Sequence, residues 1–224
     1  MAAPAPAITP ELPPGWRERL RRSLLRTPDH RLEHGRAAGL AQQSEAVRAR
    51  MRERWSQSLH AAAVLVPIIE RSDSPALLMT VRASHLRRHA GQISFPGGRL
   101  ESADADIAAA AMRETEEEIG IPAAAIEPIG YLPDHVVQTG YRITPVVALL
   151  AAGVALRPDG TEVAEVFELP LAIALAAHSY RVSHRSIRGV EVDTWELPFG
   201  QYHIWGATAG ILAHLRERFA EAAA

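Results

Sequence analysis

The chain contains no cysteine and no lysine. The first absence removes disulfides, thiolate metal sites and thiol nucleophiles, and is in keeping with a reducing compartment, so we read a cytoplasmic protein. The second makes every one of the 24 basic residues an arginine, a habit of base composition from which no function is read. No apolar run approaches the length of a membrane span, and residues 1–14, MAAPAPAITPELPP, lack the continuous apolar centre of a signal peptide. A net charge of only −2 creates no global field that would call for nucleic acid or a membrane surface. At 224 residues and 24.3 kDa the chain suits one domain of ordinary size with an appendage.

What is present is concentrated between Phe95 and Ile121, FPGGRLESADADIAAAAMRETEEEIGI. It reads as a glycine turn, a short extended exit and a helix over about 104–119, closed by Gly120 as a left-handed cap with Pro122 beyond. The end of that helix is costly. Glu114 and Glu118 stack at the spacing where like charges repel, and Glu117 and Glu118 occupy the last turn, where the macrodipole disfavours anions. Carboxylate oxygens converging from one helix face are what Mg²⁺ or Mn²⁺ takes as ligands, so a divalent ion would turn that cost into an attraction. The bland alternative is a solvated acidic face with Arg113 as counter-charge. Against it, Ile107, Ala110 and Ala111 lie on the same arc and turn it towards the protein body.

These residues resemble the Nudix box. Arg113, Glu114, Glu117, Glu118, Gly120 and Ile121 fit its pattern; Thr115 stands at an apolar position, Gly98 falls one residue early, and Ala105 occupies the place of the first glutamate. The extra residue matches the coenzyme A diphosphatase branch of the Nudix family. So does LMTVRASHLRRHAGQISFPGG, Leu78 to Gly98, which is similar to that branch's marker segment with only Met79 departing. The resemblance implies an α/β/α sandwich around a mixed sheet. It implies Glu114 and Glu118 as the surest ligands of Mg²⁺ or Mn²⁺, Glu117 as ligand to a further ion, and Arg113 as the cation holding the carboxylates in place. Gly97 and Gly98 would let backbone approach the ion or the phosphates.

Coenzyme A carries a 3′-phosphate, and Arg82 and Arg87 could pair with its oxygens through their guanidinium forks. Alternatively, Arg82 ends a strand and binds carboxylates or a carbonyl of the protein. The base is left open among a box glutamate, Glu162, Glu165 and Asp134. The implied activity is cleavage of the diphosphate of coenzyme A or acyl-CoA to 3′,5′-ADP and 4′-phosphopantetheine or its acyl form. Hydrolysis of another nucleotide diphosphate, such as ADP-ribose or NADH, is the nearest alternative, and a non-catalytic nucleotide-binding domain the more distant one. The expected partner is a small nucleotide, with no nucleic acid and no membrane; a homodimer is left open. TGYRITPVV, Thr139 to Val147, also resembles the family, without an assigned role.

The rest of the chain divides at about residue 57. Residues 1–57 read as an N-terminal extension, a Pro- and Ala-rich tail followed by a basic amphipathic helix at 16–26 and a second helix over 44–57. The leucines of the first are expected to dock on the main domain. Residues 58–224 read as the catalytic domain, with AAAVLVPIIE and ALLMTVR as a hairpin and QISF as a short strand. Strands follow at AIEPIGYL, ITPVVALLAAG and VAEVFELP, then a short helix, LAIALAAH. YRVSHRSIR and VEVDTWELP form an antiparallel pair turning near Gly189, QYHIW a last strand, and residues 207–220 a final helix.

Overall fold

The computed structural model describes residues 10–30, 45, 49, 59–71, 74–86, 90–137, 139–187 and 190–223. The second helix expected at 44–57 falls outside these residues except at Glu45 and Ala49, which are helical; Arg87 and Gly189 fall outside them too.

β1 (His60–Glu70) and β7 (Tyr141–Ala151) run parallel over their full length at the centre of the main sheet. Both are apolar on two faces, as strands covered on both sides must be. β2 (Ala76–Arg82) and β3 (Ile93–Ser94) extend the sheet on one side, and β5 (Ile126–Tyr131) closes it on the other, giving β3-β2-β1-β7-β5. β4 (Gly97–Arg99) pairs with β1, β6 (His135–Val136) with β7, and β8 (Val163–Pro170) with β2, all antiparallel. The sheet is therefore mixed, as expected.

The β1–β2 hairpin is less regular than its sequence implies, because the two strands are in register only where Ile68 and Ile69 meet Leu77 and Ala76. β4 takes the near end of β1, with Ala63 opposite Gly98 and Val64 opposite Gly97. Pro67 falls in the gap between these two partners. The N–H of Leu65 points to that edge, towards the Pro96 carbonyl, so the missing donor at Pro67 faces a stretch with no partner strand to lose.

Each face of the sheet carries its own core. Leu65, Leu78, Val146 and Leu150 pack with Ile107, Ala110, Ala111 and Ile119 of α2 (Ile107–Ile119). Val66, Ile68, Leu77, Met79 and Phe167 pack on the other side with Leu212, Leu215 and Phe219 of α4 (Gly206–Glu221). That second layer also holds the short α3 (Leu171–Leu175) and a three-stranded antiparallel sheet of β9 (Arg181–Ile187), β10 (Val190–Phe199) and β11 (Tyr202–Trp205). The chain is thus an α/β/α sandwich with a mixed central sheet.

α1 (Trp16–Ser23) belongs to the same core. Trp16, Leu20 and Leu24 are buried against it, and Leu25 bridges Tyr131 through two backbone hydrogen bonds of 2.9 Å. Two arginines fasten the helix reciprocally. Arg19 donates to the Phe219 carbonyl at the end of α4 (2.7 Å) and lies over the Phe219 ring, while Arg218 donates to the Ser23 carbonyl at the end of α1 (2.6 Å). Each cation thereby satisfies an orphan carbonyl at the negative end of the other helix.

Candidate active site

α2 is capped at both ends. The side chain of Asp106 accepts the Ala109 N–H at 2.8 Å, so the helix begins at Ile107, three residues later than the pattern of apolar positions implied. The correction has a consequence. Asp104 is not helical, and its carboxylate instead accepts from Nε and Nη2 of Arg113 at 2.9 and 3.1 Å, which holds its pKa below the usual carboxylate range.

At the other end Gly120 adopts φ 71°, the left-handed conformation, and a Cβ there would lie 2.7 Å from Cβ of Arg157. The loop beyond is docked on the last turn of the helix: Arg157 donates its N–H to the Ile119 carbonyl (2.8 Å) and Asp159 to the Glu118 carbonyl (3.1 Å). Asp159 then folds the next turn by accepting the N–H groups of Thr161, Glu162 and Val163. A segment more than 40 residues away in sequence is thereby fixed beside Glu118.

Glu114 and Glu118 converge on the glycine turn from α2. A Cβ on Gly98 would sit 2.2 Å from Oε1 of Glu114, and the Gly97 N–H donates to Oε2 of Glu118 at 3.4 Å. Gly97 has φ 154°, and a Cβ there would lie 2.3 Å from the Ala63 carbonyl. Burial raises the pKa of both glutamates, that of Glu118 to about 8, with the neighbouring Glu114 and Glu162 charges adding to the effect. Glu117 differs. Its side chain is 60% exposed and its one described partner is Nη1 of Arg113 at 3.3 Å. Arg113 is the hub: it binds Asp104, Glu114 at 3.1 Å, Glu117 and the Arg99 carbonyl at 3.0 Å, and its own pKa is raised, chiefly by the hydrogen bond to Asp104.

Thr115, which breaks the apolar pattern of the box, is fully buried and satisfied by donating its hydroxyl to the Ala111 carbonyl at 2.7 Å.

The donor set is hard oxygen throughout, which fits Mg²⁺ or Mn²⁺. Two half-buried carboxylates with raised pKa values, facing backbone that nothing shields, are a place where a divalent ion would offset unfavourable charge burial. Among the described residues no three acidic or histidine side chains are gathered at metal-holding spacing; Glu114 and Glu118 form the convergent pair and Glu117 lies outside it.

The three candidate bases outside the box glutamates separate cleanly. Asp134 is 1% exposed and engaged by the Thr144 hydroxyl (2.7 Å), His30 (3.0 Å) and Arg142 (3.2 Å), a buried structural charge. Glu165 pairs in register with Val81, shares the sheet face of Phe167, opposite α2, and accepts from the Tyr202 hydroxyl. Only Glu162, on the docked loop, adds its charge to the environment of Glu118. It also binds Arg82 at 3.1 Å, so Arg82 serves a protein carboxylate in this structure while standing at the strand end beside the glutamates. Arg87 lies outside the described residues.

Asp104 is the residue that sequence reasoning missed. Its signal was present in the doubled DAD before the helix, where one aspartate caps and the other is left to reach a basic residue two turns on.

With this geometry stand the comparisons with known proteins. The family model for the NUDIX domain matches residues 59–187. An uncharacterized Nudix hydrolase, NudL, of Escherichia coli O1:K1 / APEC is 47% identical over 154 residues, covering 69% of this chain and 80% of that protein. Its namesake in Shigella boydii serotype 18 matches to the same extent. Among solved structures, RenU, a Nudix hydrolase from M. smegmatis, superposes with a TM-score of 0.50 at 22% identity over 72% of this chain and 86% of that one, a likeness of fold. The chain belongs to the Nudix hydrolase family. It is an enzyme of the class that acts on nucleotide diphosphates.

Proposed function

We propose that this hydrolase cleaves the diphosphate of coenzyme A or an acyl-CoA, releasing 3′,5′-ADP and 4′-phosphopantetheine or its acyl form. The observation that carries the reading is the segment Leu78–Gly98, which matches the coenzyme A diphosphatase marker at all but one position and brings Arg82 and the glycine turn beside the half-buried glutamates. A divalent ion held there would neutralise phosphate charge and acidify a bound water.

The protein's own groups have distinct tasks. Glu114 and Glu118 supply the inner oxygens, and Glu117 reaches in from the exposed side for a further ion. Arg113, held by Asp104, keeps Glu114 and Glu117 from spreading into solvent. Gly97 and Gly98 leave backbone bare where phosphate oxygens must come close. Glu162 takes the proton of the attacking water, because its loop is pinned to the end of α2 within electrostatic reach of Glu118. Arg82, released from Glu162 when a more highly charged anion arrives, pairs with the 3′-phosphate, and Arg87 of the same segment shares that charge. We assign residues 58–224 to the catalytic domain and 1–57 to an extension whose first helix completes the core, in a cytoplasmic protein that can also self-associate as a homodimer.

Product analysis with coenzyme A and Mg²⁺ tests reaction and substrate together. The expected products are 3′,5′-ADP and 4′-phosphopantetheine in equal amounts. Faster turnover of ADP-ribose or NADH than of coenzyme A would assign the site to another nucleotide diphosphate. No turnover of any of them with Mg²⁺ or Mn²⁺ would make the chain a nucleotide-binding domain.

A further inference from the structure

A sheet edge left open to solvent invites pairing with another chain, and proteins blunt such edges with proline, bulges, charges or covering segments. The main sheet is blunted on both sides. β5 contains Pro128, shifts register between Pro128 and Gly130 and is bridged by Leu25, while β8 carries Glu165, Glu168 and a terminal Pro170. In the three-stranded sheet, β11 is four residues long and lies against β3. β9 is different. Its seven residues pair with β10 without a break in register, it contains neither proline nor glycine, and among the described residues no strand pairs with its other side.

The charges of β9 are turned away from that open side. Every basic side chain of the strand is held by an acid of β10: Arg181 donates from Nε to Glu196 at 3.0 Å, Arg185 donates from Nη2 to Glu196 at 2.6 Å, and His184 pairs with Asp193. Ser183 donates its hydroxyl to the same Glu196 at 2.7 Å. The Glu196 side chain is only 6% exposed beneath these groups, so the two guanidinium groups are drawn over β10. What the edge offers is backbone and Val182, one of two exposed large apolar side chains among the described residues.

We propose that β9 is the interface at which two copies of this chain pair, edge to edge and antiparallel, so that their three-stranded sheets become one. With its cations already engaged by its own acids, the edge has little charge left to select an acidic segment. A second copy supplies a strand of matching length and twist in the self-complementary arrangement that twofold dimers use. The register follows from the sequence. A twofold axis through His184, the middle residue of the strand, overlaps all seven residues and sets Val182 opposite Ser186 and Ser183 opposite Arg185. An axis through Ser183 shortens the overlap and sets Arg181 against Arg185, a like-charge pair. One strand pair is a small interface, so the dimer is reversible and depends on concentration. This inference gives the homodimer of the reading above its interface and is independent of the substrate.

Sedimentation of the full chain over a range of concentrations, together with oxidative crosslinking, tests it. The chain has no cysteine, so a single introduced thiol can join only its twofold mate. In the proposed register the two copies of residue 184 lie about 4.5–5.5 Å apart between Cα atoms, within the span of a disulfide, and the two copies of residue 186 about 14 Å apart, beyond it. His184→Cys, a change at a side chain that is 81% exposed, should therefore give a covalent dimer under mild oxidation, and Ser186→Cys should remain largely monomeric. Val182→Lys should weaken the wild-type dimer about tenfold in sedimentation, since the change enters twice across the axis, and it reads the interface independently if His184→Cys does not fold. A wild-type protein that is monomeric at its highest soluble concentration overturns the proposal. So does a dimer in which His184→Cys stays uncrosslinked, Ser186→Cys crosslinks equally well, or Val182→Lys has no effect. None of these readouts uses a substrate, so failure here and failure of the hydrolase reading are separate results.

Discussion

Burial opposes the charge that Glu114 and Glu118 need, and substitutions around them have definite expected outcomes. Gly98→Ala places a methyl group in the space of the Glu114 carboxylate. Because that carboxylate is the mobile end of a side chain, the expected result is about a 100-fold fall in kcat with a small change in thermal unfolding temperature, since displacing a carboxylate of the proposed metal site should cost more in the transition state than in folding. Glu162→Gln removes the proposed proton acceptor and leaves the loop's Asp159 anchors intact, so kcat should fall by a factor of about 10² to 10⁴ with KM nearly unchanged. Glu165→Gln and Asp134→Asn should leave the chemical step within a few-fold of wild type, provided the proteins fold; steady-state kinetics on the three variants separates them.

His135 carries a different liability. Its ring is buried between β6 and α4, Nδ1 has no hydrogen-bond partner among the described residues, and burial, with a smaller contribution from His214, lowers its pKa to about 3. A histidine with a depressed folded-state pKa contributes stability that is present above its unfolded value near 6.5 and is lost as pH falls towards 3. Thermal unfolding temperature should therefore decline on acidification through that window. In His135→Phe the decline should be shallower by one proton's worth of slope, while Glu196, held near pKa 2 chiefly by its hydrogen bond from Arg185, continues to contribute its own acid sensitivity below about 4.5.

At the scale of elements, the docking of residues 157–163 on the C-terminal turn of α2 joins that helix to the Glu162 loop. Gly120 permits it: a side chain there needs a strained backbone and meets Arg157. Gly120→Ala should destabilise the protein by about 1–2 kcal/mol in denaturant titration and should also lower kcat, because the cap and the loop are the same joint. The helix itself was legible from its sequence, as were its C-cap and its buried face, since apolar spacing and a terminal glycine act locally. Its true start was not. Asp104 and Asp106 offer the same chemistry to the same end, and only the distance to Arg113 decides which one caps. The hairpin of β1 and β2 was legible as two strands, whereas the insertion of β4 alongside β1 depends on a long-range pairing that no local pattern encodes. Glu162 could be named only as one of three acids, since what sets it apart is where a remote loop lands.

Across the whole molecule, a metal ion held at the proposed site would couple its binding to folding. Two half-buried glutamates with raised pKa values resist ionisation, and a divalent cation bound between them would relieve that resistance. Mg²⁺ or Mn²⁺ at 100 times its dissociation constant should stabilise the native state by about 2.7 kcal/mol, seen as a rise in unfolding temperature at pH 8. Glu118→Gln should abolish most of the rise while folding normally, and a wild-type protein indifferent to both ions would remove the basis of the proposed site. Among the described residues no helix is long and apolar enough to cross a membrane.

The clasp between α1 and α4 joins residues about 200 positions apart. During synthesis, Trp16, Leu20 and Leu24 therefore emerge long before the surface that covers them exists, and they must wait for nearly the whole polypeptide to be made. A message truncated within its final twenty codons would yield a protein with every active-site residue present and its first helix stranded, its apolar side chains open to chaperones and proteases.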